Sequence, residues 1–363
     1  MRITANQVTV ARMAALPVPC ALLLWTPLRW QFLALGLFTI IGLLDIVDGI
    51  MARKQGPTQF GAMLDPLADK VFVVCAIIAF AAQGRAPLWI PALLLAREFL
   101  VTGLRTATAL RQAHIKTSVL AKLKTSVQMA GFGLVFLNVA VPRKYAPLVL
   151  GSLAAAAVLV FIGRWIQQRA RPLVFFWVPC GLIVLAFLVR LFVVRRDTTL
   201  TYLLIILVFT WGSGVDYLIG SARVLLRDGL KWVDFARIYW TAALVLTTVV
   251  AAADTRMAFL VIIAIAAELL VGGVDNLRAL SGSPTPTWLY LVRSSVTTLL
   301  AGGLIAGRDL DLPDSLRWIA VAALTALSVG YAINDLVRAR ALVDGRAANA
   351  AYSTDPPPRT ASA

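Results

Sequence analysis

Apolar runs long enough to cross a bilayer recur near residues 8–26, 31–52, 67–84, 88–108, 121–141, 146–164, 172–195, 199–220, 237–253, 256–274, 288–306 and 315–337. Few folds accommodate such a chain. In hydrocarbon every backbone N–H and C=O must be bonded within the protein, which leaves helices or a closed barrel, and runs of this length read as helices. The expected fold is all-α, a polytopic transmembrane bundle. A hydrophobic fraction of 60% and a charged fraction of 14% over 363 residues agree with it. The net charge of +16 raises nucleic acid as a partner. The Lys and Arg residues lie in short loops between the runs, however, a pattern that fits an anionic lipid surface, and no nucleic-acid partner is expected.

A cytoplasmic N-terminus puts the loops at 53–66, 109–122, 164–172 and 221–236 in the cytoplasm, with Arg53, Lys54, Arg111, Lys116, Lys122, Arg164, Arg169, Arg171, Arg223, Arg227 and Lys231. The opposite loops are poorer in basic residues, although Arg143, Lys144, Arg195 and Arg196 run against the assignment. The first run has little charge before it and no small-residue cleavage site after it, so it is expected to be retained. Cys20, Cys75 and Cys180 stand in apolar runs without metal-ligand spacing and read as buried small hydrophobes. His114, the single histidine, reads as a solvated loop residue. The tail 344–363, with Pro356, Pro357 and Pro358 among small polar residues, reads as disordered.

Four aspartates break the apolar background: Asp45, Asp48, Asp65 and Asp69. The first two stand three apart at the end of one run and the last two four apart at the start of the next, so each pair shares a helix face. Carboxylates at membrane depth are costly and usually functional. A cluster of hard oxygen donors suits Mg2+ or Mn2+ better than zinc. Asp65 before Pro66 is also a fair helix cap, but capping does not account for four carboxylates at these spacings.

The pattern Asp45-x2-Asp48-Gly49-x2-Ala52-Arg53-x7-Gly61-x3-Asp65-x3-Asp69 resembles the signature of the CDP-alcohol phosphatidyltransferases. The spacer before Gly61 is one residue shorter than the family's, in a connection where length is tolerated. The resemblance implies a two-metal site held by Asp45, Asp48, Asp65 and Asp69, with Asp69 also the general base. It implies that Asn6, Thr9, Gly49, Ala52, Arg53 and Gly61 contact the CDP-linked lipid. Small side chains at Gly49 and Ala52 let a nucleotide lie close to the backbone, and Gly61 permits close approach or a tight turn. Displacing CMP means neutralising a pyrophosphate, which divalent ions held by carboxylates can do.

Further stretches resemble one branch of that family, the phosphatidylglycerophosphate synthases: Asn6-x2-Thr9-x2-Arg12, Ala96-Arg97-Glu98 continuing to Gly103-Leu104-Arg105, Ala121-Lys122-Leu123-Lys124-Thr125, and Ser213-Gly214-Val215-Asp216-Tyr217. The implied acceptor is sn-glycerol 3-phosphate and the implied donor CDP-diacylglycerol. A phosphate dianion needs cations, for which Arg105, Lys122, Lys124 and Arg97 are the candidates. Positive-inside anchoring competes with that role for the two lysines. For Arg97 and Glu98 both a mutual ion-pair network and a substrate contact stand open. The resemblance also implies a homodimer; the expected location is the cell membrane, a bacterial cytoplasmic one, and the positive-inside rule puts the aspartates at its cytoplasmic face.

The resemblance covers roughly 1–141 and 198–223. The expected organisation is a six-span core at 1–141 and 198–223, a two-span insertion at 142–197, a C-terminal membrane region at 224–343 and the tail. In that region Glu268 and Asp275 look isolated and no catalytic constellation is visible. Ala236-Arg237 followed by Val274-Asp275-Asn276 echoes Ala11-Arg12 and Val47-Asp48-Gly49, a faint repeat with which chance similarity of apolar helices competes. Rival functions are a sibling enzyme with another acceptor, of the cardiolipin-synthase or inositol-phosphate type, and a transporter or channel. The last predicts carboxylates at corresponding positions of both halves.

Overall fold

The structure, a computed structural model, describes residues 4–25, 28–56, 59–111, 113, 119–142, 144–167, 174–192, 198–252, 257–280, 285–309 and 313–343. Among these residues there are thirteen helices and no strand: α1 (Ala5–Ala15), α2 (Pro17–Trp25), α3 (Leu28–Gln55), α4 (Gln59–Ala82), α5 (Trp89–Ala109), α6 (Val119–Ala140), α7 (Ala146–Gln167), α8 (Val174–Phe192), α9 (Thr199–Asp228), α10 (Trp232–Ala252), α11 (Ala258–Leu280), α12 (Thr287–Asp309) and α13 (Asp314–Val343). Seven described segments are long and apolar enough to cross a membrane: α1–α2 together, α3, α7, α9, α10, α11 and α13. His114 and the tail 344–363 lie outside the described residues.

The first apolar run is two helices rather than one. Pro17 has no N–H to donate, so the helix ends at Leu16, whose N–H reaches Met13 O at 3.3 Å, and a new one starts. At the other end Thr4 caps α1: its Oγ1 accepts from Gln7 N while Gln7 Oε1 accepts from Thr4 N. Gln55 Oε1, at the last residue of α3, accepts from Ala5 N at 3.0 Å and ties the start of α1 to the end of α3. Gly56 follows at φ +93°, a left-handed conformation that ends α3 and turns the chain toward α4. The turn glycine is therefore Gly56, and Gly61 lies inside α4.

The middle of α4 is apolar on every side, with Val73, Val74, Cys75, Ala76, Ile77, Ile78, Ala79 and Phe80 all buried, as expected of a helix surrounded by others. It packs against α1, α2, α5, α6 and α11. Around it, α9 lies on α5 and α6, and α8 bridges α6 and α7. The C-terminal helices α10 and α11 pack on the far side of α5, with α12 and α13 outside them. Apolar side chains on the outward faces, such as Leu148, Leu159 and Ile166 on α7 and Leu200, Leu204 and Val208 on α9, stay exposed. In a bilayer those faces meet lipid, where exposure costs nothing. Cys20 and Cys75 are buried and Cys180 half-buried, all three reduced.

Candidate active site

The aspartates stand on α3 and α4, with α1 packed beside both. On α1 the stripe Ala5, Thr9, Arg12 and Leu16 is buried, so Thr9 and Arg12 point into the bundle. Thr9 Oγ1 donates to Asp48 Oδ2 at 3.0 Å. The Arg12 guanidinium reaches both neighbouring helices, with Nη2 3.6 Å from Asp48 Oδ2 on α3 and Nη1 3.9 Å from Asp69 Oδ1 on α4. Asp48 is held and sealed at 4% side-chain exposure, whereas Asp69 keeps 29% open. Asp45 stands one turn before Asp48, and Asp65 one turn before Asp69; the side chains of Asn6, Asp45, Asp65 and Lys122 lie outside the described residues. Gly49 and Ala52 are half-buried on α3, and Arg53 is exposed in its last turn.

One residue further along α4, Lys70 faces α5 and opens a second cluster. Its Nζ donates to Thr102 Oγ1 at 2.5 Å and lies 4.0 Å from Glu98 Oε2. Glu98, at 1% side-chain exposure, also accepts from Lys124 Nζ at 2.6 Å and Arg97 Nη1 at 2.9 Å, both on Oε1. Arg97 is fully engaged: Nε donates to Thr210 O at 3.0 Å and Nη2 to Ser213 Oγ at 2.7 Å, both on α9. A Cβ at Gly214 would stand 3.0 Å from Arg97 Cγ, so the small residue there makes room for the arginine. The ion-pair network, one of the two readings open for Arg97 and Glu98, is present in the structure. Arg105, half-buried further along α5, lies with its guanidinium carbon 5.6 Å from the Tyr217 ring centre. Lys70 escaped the sequence reading, although it immediately follows Asp69 and shares the basic character of Lys124.

Glu268 and Asp275 are not isolated, contrary to expectation. Arg293 Nη2, Trp240 Nε1 and Ser328 Oγ all donate to Glu268. Thr285 Oγ1 and Tyr290 Oη donate to Asp275. At the same end Arg111 Nη2 donates to Asp234 Oδ2 at 2.7 Å, Arg237 pairs with Asp234, and Arg278 pairs with Asp335. The partners come from α5 and all four C-terminal helices, which is why no local motif announced them.

Charge balance separates these networks. The C-terminal one sets Arg111, Arg237, Arg278 and Arg293 against Asp234, Glu268, Asp275 and Asp335, and is formally neutral. The Glu98 cluster has three cations and one carboxylate. The aspartate cluster has four carboxylates by sequence and one described cation, Arg12, between two of them. Net charge in a low-dielectric site is expensive unless something arrives to cancel it. The aspartates therefore suit divalent cations, and the guanidinium already between Asp48 and Asp69 shows that a cation fits between α3 and α4. Among the described residues alone, no three metal-binding side chains gather. The Glu98 cluster suits a dianion. The two sites meet at Asp69-Lys70, so a cation-bound pyrophosphate and a phosphate-bearing acceptor would be brought side by side.

An all-helical membrane protein with these paired sites suits a transferase of phosphate-linked groups, and its relatives are transferases. Residues 2–166 match the model of the CDP-alcohol phosphatidyltransferase family. A CDP-diacylglycerol–glycerol-3-phosphate 3-phosphatidyltransferase of Rickettsia bellii is 42% identical over 135 residues, 37% of this chain and 74% of the relative. One of Bacillus subtilis is 35% identical over 147 residues, covering 37% and 76%. A probable phosphatidylglycerophosphate synthase of Mycobacterium tuberculosis is 35% identical over 173 residues, covering 47% and 81%. No solved structure matches the chain. The chain belongs to the CDP-alcohol phosphatidyltransferase family.

Proposed function

We propose that this membrane enzyme transfers the phosphatidyl group of CDP-diacylglycerol to sn-glycerol 3-phosphate, giving phosphatidylglycerophosphate and CMP. The observation that carries the reading is the pairing of a carboxylate-rich site with a buried, cation-rich one on consecutive residues of α4. The relatives' names support the same donor and acceptor. The acceptor hydroxyl attacks the β-phosphorus, the bond from that phosphorus to the bridging oxygen breaks, and CMP leaves with the electron pair. Asp69, the more exposed of the two described aspartates, takes the hydroxyl proton. Lys70, Lys124, Arg105 and Lys122 hold the acceptor phosphate. Arg97 and Glu98 orient Lys124, and Arg12 with Thr9 fixes Asp48.

Asp45, Asp48, Asp65 and Asp69 would hold Mg2+ or Mn2+, in a two-metal site, and the ions would offset the pyrophosphate charge. Gly49, Ala52 and Arg53 on α3, with Asn6 and Thr9 on α1 and Gly61 on α4, would contact the CDP-linked lipid. The core is taken as 1–141 with 198–223, carrying 142–197 as an insertion and 224–343 as an added region. A homodimer in a bacterial cytoplasmic membrane, with the site toward the cytoplasm, completes the reading. Rigid positioning and charge neutralisation supply the catalysis, since the reaction needs no covalent intermediate.

The test is CMP release from purified protein with CDP-diacylglycerol, a divalent ion and a panel of acceptors, beside Asp69→Ala. Release with sn-glycerol 3-phosphate alone, lost in the variant, is expected. Release with a phosphate-free alcohol instead would replace the acceptor.

A further inference from the structure

The C-terminal helices lie outside the residues that match the family, yet they touch the acceptor cluster from behind. Helix α5 carries Glu98, Thr102 and Arg105 along one stripe, and Phe99, Gly103 and Thr106 along the next. Thr102 borders both. Its hydroxyl donates to Glu98 O at 2.7 Å and accepts from Lys70 Nζ at 2.5 Å. Its methyl faces α11, where a Cβ on Gly272 would stand 3.1 Å from Thr102 Cγ2 and 3.6 Å from Trp240 Cη2. The same wall meets α5 at Phe99, whose ring centre is 5.9 Å from that of Trp240, and at Gly103, where a Cβ would lie 4.0 Å from Arg237 Cβ. Arg111 then anchors the end of α5 to Asp234 and Gly229 O.

We infer that Gly272 and Thr102 are positioning residues for the acceptor: α11 sets the Thr102 rotamer, and Thr102 sets Lys70. This rests on the acceptor reading above. A threonine in a helix has two accessible χ1 wells. The one observed puts the methyl on Gly272 and the hydroxyl on Lys70. A side chain at position 272 pushes on the methyl, and both responses, rotation of Thr102 or displacement of α5, move the hydroxyl that holds the lysine. Among the described residues a Cβ at Gly272 meets only Thr102 and Trp240 within 4 Å, neither of them in the aspartate site, so the donor's grip is untouched.

The experiment measures KM for sn-glycerol 3-phosphate and for CDP-diacylglycerol in the full-length wild type, Gly272→Ala, Thr102→Ser and the double variant. Gly272→Ala is expected to raise the acceptor KM about fivefold and leave the donor KM unchanged, since a few tenths of an ångström matter at a positioned charge. Thr102→Ser in the same chain removes the obstructed methyl but keeps the hydroxyl, and should restore the acceptor KM. Equal changes in both KM values, a change in kcat alone, or no recovery in the double variant overturns the inference. Should Gly272→Ala fail to fold, Thr102→Val keeps the shape and deletes the acceptor of the lysine's hydrogen bond. It should raise the acceptor KM about tenfold, and an unchanged KM overturns the inference equally. Wild-type turnover with a phosphate-free alcohol but none with sn-glycerol 3-phosphate would sink the acceptor reading, and this inference with it. Wild-type turnover with unselective variants would sink the inference alone.

Discussion

Glu98→Gln removes one negative charge from the most buried point of the acceptor cluster while keeping the side chain's shape. The glutamate faces Lys124 at 2.6 Å, Arg97 at 2.9 Å and Lys70 at 4.0 Å. With glutamine the three cations have no carboxylate among them, and the new amide NH2 adds a donor where acceptors are needed. Removing one partner of a buried ionic network costs about 3–5 kcal/mol, because the charges left behind stay desolvated. At about 2–4 °C per kcal/mol for a chain of a few hundred residues, the midpoint of thermal unfolding should fall by roughly 10 °C. The fall should be largest without ligand. A phosphate dianion supplies the missing charge, so sn-glycerol 3-phosphate should raise the midpoint of the variant by more than it raises that of the wild type. The assay is unfolding in detergent at fixed magnesium, with a titration of the acceptor. A variant that melts within about 2 °C of the wild type would refute the charge argument, since the expected cost is several times larger. Equal stabilisation of both proteins by the acceptor would refute the placement of its phosphate.

The remaining perturbations read the other networks. Thr9→Val deletes the hydroxyl that holds Asp48, and should raise the magnesium concentration for half-maximal CMP release several-fold; an unchanged metal dependence would place Asp48 outside the metal site. Lys124→Ala should raise the acceptor KM about tenfold or more with the donor KM unchanged, and an indifferent acceptor KM would argue for an acceptor without phosphate. Glu268→Gln strands Arg293 and should cost about 3–5 kcal/mol in stability, while Glu268→Leu with Arg293→Met removes both charges and should recover most of it. CMP release per folded molecule should match the wild type in that double variant, and a large loss would give the C-terminal network a part in the chemistry.

The apolar runs were legible in the sequence because a bilayer fixes their length, and the aspartates because a helix fixes their spacing. Both are local properties. Pro17 was equally visible, but the run around it is apolar throughout, and hydropathy does not distinguish one helix from two that meet at a proline. Lys70 was overlooked for a different reason. It immediately follows Asp69, yet α4 turns the two onto different faces, toward α1 and α5, and only packing shows that the second face is a site. Glu268 looked isolated because its partners lie 25, 28 and 60 positions away. Gly214 could be matched to a pattern but not explained until the stem of Arg97 was seen against it. Interactions set by distance in space leave little trace in a chain whose helices are otherwise uniformly apolar.

The two stretches compared as a faint repeat differ in how their buried charges are paired. In the first half Arg12 bridges Asp48 and Asp69 directly. In the second, Arg237 pairs with Asp234 and stacks over the Tyr290 ring at 5.1 Å, and the tyrosine hydroxyl satisfies Asp275. A buried arginine and a buried aspartate stand at matching ends of successive helices in both halves. In the second, a phenol and a hydroxyl both donate to the aspartate. A formally neutral bundle has no charge left over to attract an ion or a phosphate, but it is well suited to be a wall. The Glu98 cluster, drawn from α4, α5 and α6, sets three cations against one carboxylate, a cost to the helices that carry it. Packing α10 and α11 against the back of α5 supplies apolar contact through Phe99, Trp240 and Gly272 at the turns of α5 that carry Glu98 and Thr102. Stability is thereby placed behind the Glu98 cluster, on the side away from the aspartates.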